Sequence, residues 1–99
     1  PPPLPQRNEV QKELTDPPTT GPSTLERGVL VEHYFYRHAH LMRGLELWLG
    51  AEKDPGFKVT VEAQIILQRS ACHAWVTNFN DTIRKRGEAN PYLLNRDRC

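Results

Sequence analysis

Long apolar runs are missing from this 99-residue chain. Without a stretch of about 18 apolar residues no membrane-spanning helix is expected, and no hydrophobic signal-peptide core is present either. Cysteine is scarce, with only Cys72 and Cys99 present. Two such distant residues make no disulfide framework and lack metal-ligand spacing, so free thiols or a reducing compartment are the expectation. The six glycines are scattered, with Gly28, Gly44, Gly50, Gly56 and Gly87 beyond the proline-rich stretch, and form no phosphate-cradling loop. The formal net charge is only +1, too little for a polyanion binder whose affinity comes from charge alone. The length excludes a large enzyme and allows one small domain, which is marginal alone and expects help from a partner, a metal or a disulfide.

What is present is unevenly placed. Residues 1–22 hold seven of the nine prolines and only three aliphatic side chains, Leu4, Val10 and Leu14. Proline removes amide donors and pushes its preceding residue out of the helical region, so this stretch reads as an extended proline-rich arm. Residues 23–99 carry nearly all the core-forming material. Ser23 and Glu26 have capping-box spacing and predict the start of a helix.

Val31, Tyr34, His38, Leu41, Leu45 and Trp48 alternate steps of three and four, with Phe35, Met42 and Leu49 widening the stripe and Gly50 placed as a C-cap. Asp54-Pro55-Gly56 has turn composition. Val59 and Val61 then alternate briefly, as in a short extended entry. A second stripe follows through Ile65, Arg69, Cys72, Val76, Phe79 and Ile83, with Gly87 at its end and Arg84, Lys85 and Arg86 placed to complement a helix dipole. Asn90-Pro91 breaks the chain before Tyr92-Leu93-Leu94, which reads as a helical turn or an apolar plug. The expected fold is all-α: a two-helix antiparallel hairpin with an extended arm and a short C-terminal segment. Its core is expected to set Leu41, Leu45 and Trp48 against Cys72, Val76 and Phe79.

Both helices are apolar outside these stripes, at Leu25, Val29, Leu30, Tyr36 and Leu47 on the first and at Ile66, Leu67 and Ala71 on the second. A helix apolar nearly all round has neighbours on more than one side. Leu30, Tyr36, Leu47, Ile66 and Leu67 are therefore candidate partner-binding residues. In the arm, Pro2, Pro3, Leu4, Pro5 and Arg7 are the counterpart, because Pro2-Pro3-Leu4-Pro5-Gln6-Arg7 resembles the proline-x-x-proline-x-arginine ligands of SH3 domains. That resemblance implies a preformed polyproline II segment whose arginine meets an acidic pocket.

Candidates for chemistry are few. His33, His38 and His40 are separated by five and two residues, the wrong spacing for one helical metal face. His38 falls in the apolar stripe and reads as a core or interface histidine with a satisfied hydrogen bond. Cys72 and His73 are adjacent on a helix and point about 100° apart, which disfavours a thiolate and base pair. Asn80-Asp81-Thr82 matches a glycosylation acceptor but falls inside the second helix. From residue 84 onward, five arginines and lysines face Glu88 and Asp97. With Tyr92 they give a weak nucleic-acid footprint, better read as cations at a helix C-terminus. No catalytic, metal or cofactor site is assigned.

Two short segments resemble known families. Leu45-Glu46-Leu47-Trp48-Leu49-Gly50-Ala51-Glu52 is similar to a segment of regulator of G-protein signalling domains, whose bundle needs more helices than this chain supplies. Phe35-Tyr36-Arg37 is similar to the Leu-Tyr-Arg signature of small mitochondrial accessory and assembly proteins. The functional expectation is a non-catalytic accessory or structural subunit of a multiprotein assembly, with a mitochondrial complex as its setting and other protein subunits as its partners. The alternative is a soluble, cytoplasmic adaptor presenting an SH3 ligand.

Overall fold

The computed structural model describes residues 23–99. The arm, including Pro2, Pro3, Leu4, Pro5 and Arg7, lies outside the described residues. Helix α1 spans Thr24–Ala51, helix α2 spans Pro55–Lys85, and a 3-10 turn occupies Arg96–Arg98. The described residues fall into two units, 23–37 and 38–99.

In the first unit, α1 begins where its cap chemistry places it. The Glu26 amide donates to Ser23 Oγ at 3.1 Å, and the Ser23 amide donates to Glu26 Oε2 at 2.9 Å. Two amides that the helix itself cannot satisfy are thereby bonded. Val31, His33 and Phe35 are buried, and the Tyr34 and Phe35 rings meet edge to face with centroids 5.6 Å apart. Burial also pushes the Tyr34 hydroxyl above its ordinary pKa, since the phenolate is the form that loses solvation.

Residues 38–99 form the antiparallel hairpin. Only residues 52–54 separate the helices, and Met42, Leu45 and Val61 form a buried cluster with Leu49 and Ile65 packed against it. The expected pairing is corrected here. A turn at residues 52–54 sets the last turns of α1 against the first turns of α2, so Leu45 meets Val61 rather than Val76. Leu41 and Trp48, expected in the core, are 46% and 49% exposed. Within residues 38–99 the inward stripe on α1 is His38, Met42, Leu45 and Leu49, which keeps the three-four alternation one step around the helix. On α2 the expected position Arg69 is exposed, and Gln68 is the half-buried residue between Ile65 and Cys72.

The connection departs from the sequence reading in three ways. Gly50 is helical and does not cap α1, which runs on to Ala51. Asp54-Pro55-Gly56 is the start of α2: Asp54 is its N-cap, accepting from the Phe57 amide at 3.3 Å, and Pro55 takes the first position, where its missing N–H costs nothing. Val59 and Val61 are helical from the outset, because a capped helix already contains them.

Beyond α2 the chain reverses. Gly87, with φ of 69°, adopts the left-handed conformation that closes the helix, and its amide donates to the Arg84 carbonyl at 3.0 Å. The following segment returns along α2, where Cys99 is disulfide-bonded to Cys72 with their Cα atoms 5.8 Å apart. The expectation of free thiols is thus overturned. The geometry explains it: the α2 residues after Cys72 advance about 1.5 Å each, and a shorter extended segment at about 3.3 Å per residue covers the return. Among the three apolar residues at 92–94, Leu94 alone is buried, and none of them is helical. The segment is a plug of one side chain.

Candidate interaction surface

The apolar residues outside the core are the most prominent feature of the surface. Among the described residues, twelve large hydrophobic side chains are exposed while nine hydrophobic residues form the core. This excess lies outside because a hairpin has only one shared interface, whereas both sequences are apolar over a wider arc.

Of the residues expected to meet a partner, Tyr36, Leu47, Ile66 and Leu67 are exposed. Leu30 is half-buried, which corrects its assignment to a free face. Ile66 and Leu67 are the centre of a distinct strip on α2. Val59 lies one heptad before Ile66, and Ala63, Ser70 and Ala74 follow at steps of three and four on the same side, all exposed. Between Glu62 and Asp81, Arg69 is the one Asp, Glu, Lys or Arg in the helix. A solvated helix face ordinarily carries charge, so this strip resembles an interface core in composition.

Val59, Phe57, Leu41 and Trp48 were not among the expected surface residues. Phe57 and Val59 lie in the first turns of α2, and the polar turn composition just before them carries no sign of apolar exposure. Trp48 is held outside by its indole, whose Nε1–H donates to Glu52 Oε2 at 3.0 Å. The other Glu52 oxygen accepts from the Asp54 amide at 3.1 Å. These bonds, together with the positive charge of Lys58, hold the Glu52 carboxyl below its ordinary pKa.

The C-terminal segment supplies a buried polar contact on α2. Asn80, buried on α2, donates through Nδ2 to the Leu94 carbonyl at 2.9 Å and accepts at Oδ1 from the Leu94 amide at 2.8 Å. With both amide atoms engaged, the acceptor tripeptide Asn80-Asp81-Thr82 is sealed in the folded chain. His38 donates from Nε2 to the Cys99 carbonyl at 3.1 Å, in keeping with a buried, hydrogen-bonded histidine. Cys72 is fully buried in its disulfide, which leaves no thiolate for His73 to activate. A shallow recess is lined by Thr77, Asn80, Arg84 and residues 93–97.

Among the described residues, no three or more histidines, cysteines or carboxylates come together. No helix there is long and apolar enough to cross a membrane. The basic C-terminal residues are partly matched by acids: Arg84 meets Asp81 at 3.4 Å and Arg86 meets Glu88 at 3.1 Å. Tyr92 is exposed. Comparison with protein-family models, curated proteins and solved structures finds no match for the chain.

Proposed function

We propose that this protein is a non-catalytic accessory or structural subunit of a larger multiprotein assembly, docked through its exposed helix faces and its proline-rich arm. The observation that carries the reading is the excess of large hydrophobic residues outside the core, twelve against nine among the described residues. Apolar surface of this extent, left in water, favours association. The uncharged strip of Val59, Ile66 and Leu67 on α2 is the principal docking face, while Leu47 on α1 and, in the first unit, Tyr36 are further exposed apolar residues open to a partner. The arm, with Leu4 as an apolar anchor and little ordering entropy to lose at its prolines, adds reach across a neighbouring subunit.

A mitochondrial complex is the setting we propose, on the similarity of Phe35-Tyr36-Arg37 to the Leu-Tyr-Arg signature. The Cys72–Cys99 disulfide supports an oxidising compartment over the cytosol. Native electrophoresis of tagged wild-type chain and an Ile66→Glu/Leu67→Glu variant, each expressed in its source cell, tests the reading. The wild type is expected at one discrete size well above the monomer, and the variant at the monomer position. Wild-type chain running as a monomer, or an unchanged size in the variant, rejects docking through α2.

A further inference from the structure

Residues 88–99 lie on α2 without forming part of its helical ladder. Pro91 bars a helix across the middle of this strap, and its one turn of 3-10 helix, at Arg96–Arg98, is closed by local bonds to Asn95. Its anchors on the hairpin include the paired bonds between Asn80 and Leu94, the bond from His38 to the Cys99 carbonyl, and the Cys72–Cys99 disulfide. Of its side chains, Leu94 alone is buried. Fixing the backbone of a dozen residues is costly, and one buried leucine with a small set of hydrogen bonds and a surface ion pair offsets little of that cost. The covalent link therefore decides whether the strap stays.

We propose that residues 88–99 are a redox-held latch: the Cys72–Cys99 disulfide keeps the strap on α2, and a dithiol reductant releases it while the hairpin persists. Cys72 is fully buried and Cys99 is half-buried, so the reductant's thiolate attacks the Cys99 sulfur. A mixed disulfide forms there as the Cys72–Cys99 bond breaks, and the Cys72 sulfur leaves as a thiolate that takes up a proton. The reductant's second thiolate then attacks its own sulfur in the mixed disulfide and expels Cys99, which is protonated in turn. Two electrons pass from the dithiol, which becomes a cyclic disulfide, and both cysteines end as thiols. Release opens the polar side chain of Asn80 and the Cys72 thiol to solvent, so a covered stretch of α2 becomes a reactive surface.

The test uses the full chain, oxidised and after dithiothreitol treatment, with the thiols counted by alkylation and mass spectrometry. Reduction is expected to speed exchange of the Leu94 amide by about tenfold or more, and tryptic cleavage after Arg96 and Arg98 with it, while amides from Val61 to Val76 keep their protection. A Cys99→Ser chain should match the reduced protein without reductant. Unchanged Leu94 protection with both cysteines alkylated overturns the latch. So does loss of α2 protection together with Leu94, which makes the disulfide a staple of the whole fold, and so does the recovery of both free thiols from oxidatively refolded protein.

Discussion

The side-chain amide of Asn80 pairs with the backbone amide and carbonyl of Leu94 as one strand residue pairs with another, at 2.8 and 2.9 Å respectively, across a gap of fourteen residues. Both partners are buried, so the two bonds are made where water does not compete and where their loss leaves unsatisfied groups. Asn80→Ala is expected to destabilise the chain by about 2 kcal/mol. Asn80→Asp should do more harm, since it replaces the donor with a carboxylate facing the Leu94 carbonyl. Urea midpoints of the two variants, with exchange at the Leu94 amide, check both outcomes.

Trp48 and Leu45 sit three residues apart on α1 and should respond very differently to truncation. Leu45 belongs to the buried cluster with Met42 and Val61, and Leu45→Ala should cost about 3 kcal/mol through lost transfer energy and a cavity. Trp48→Phe keeps a ring at the surface and forfeits the bond to Glu52, a loss of about 1 kcal/mol. Equal costs at the two positions in chemical denaturation would show that the indole is a core group after all.

Glu52 ties the last turn of α1 to the cap of α2, and its folded pKa is depressed first by the Trp48 indole N–H and then by the Asp54 amide. A carboxyl with a lower pKa in the folded state than in the unfolded chain favours folding when ionised. Its contribution is complete above the ordinary carboxylate range and disappears as pH falls through the depressed folded value. Stability measured from neutral pH down to about pH 3 should therefore show wild type losing its advantage over Glu52→Gln on acidification. Parallel curves for the two proteins would remove Glu52 from the turn.

Ile66 and Leu67 are 64% and 57% exposed. Single changes to glutamate there should alter the folding stability of the isolated chain by no more than about 0.5 kcal/mol. The same changes should reduce the concentration-dependent association that the exposed faces impose on wild type, as read by sedimentation velocity. A variant that unfolds would mean that these side chains are structural.

The parts of the fold legible in the sequence are those set by neighbours within about one helical turn. Ser23 and Glu26 are three residues apart and bond as their spacing dictates. Gly87 ends α2 because a positive φ is available to it without a steric penalty. The three-four alternation identified both helices and their apolar excess, and the turn composition at Asp54-Pro55-Gly56 between them implied an antiparallel return. Tertiary structure decided the rest. Periodicity cannot separate adjacent phases of one wide apolar face, so whether Trp48 or Leu49 turned inward depended on where Val61 and Ile65 stood across the turn. Asn80 with Leu94, Cys72 with Cys99 and His38 with Cys99 are joined over separations of 14, 27 and 61 residues. Those contacts exist only because the chain beyond Gly87 doubles back along α2, and the direction of that return belongs to no local window of sequence.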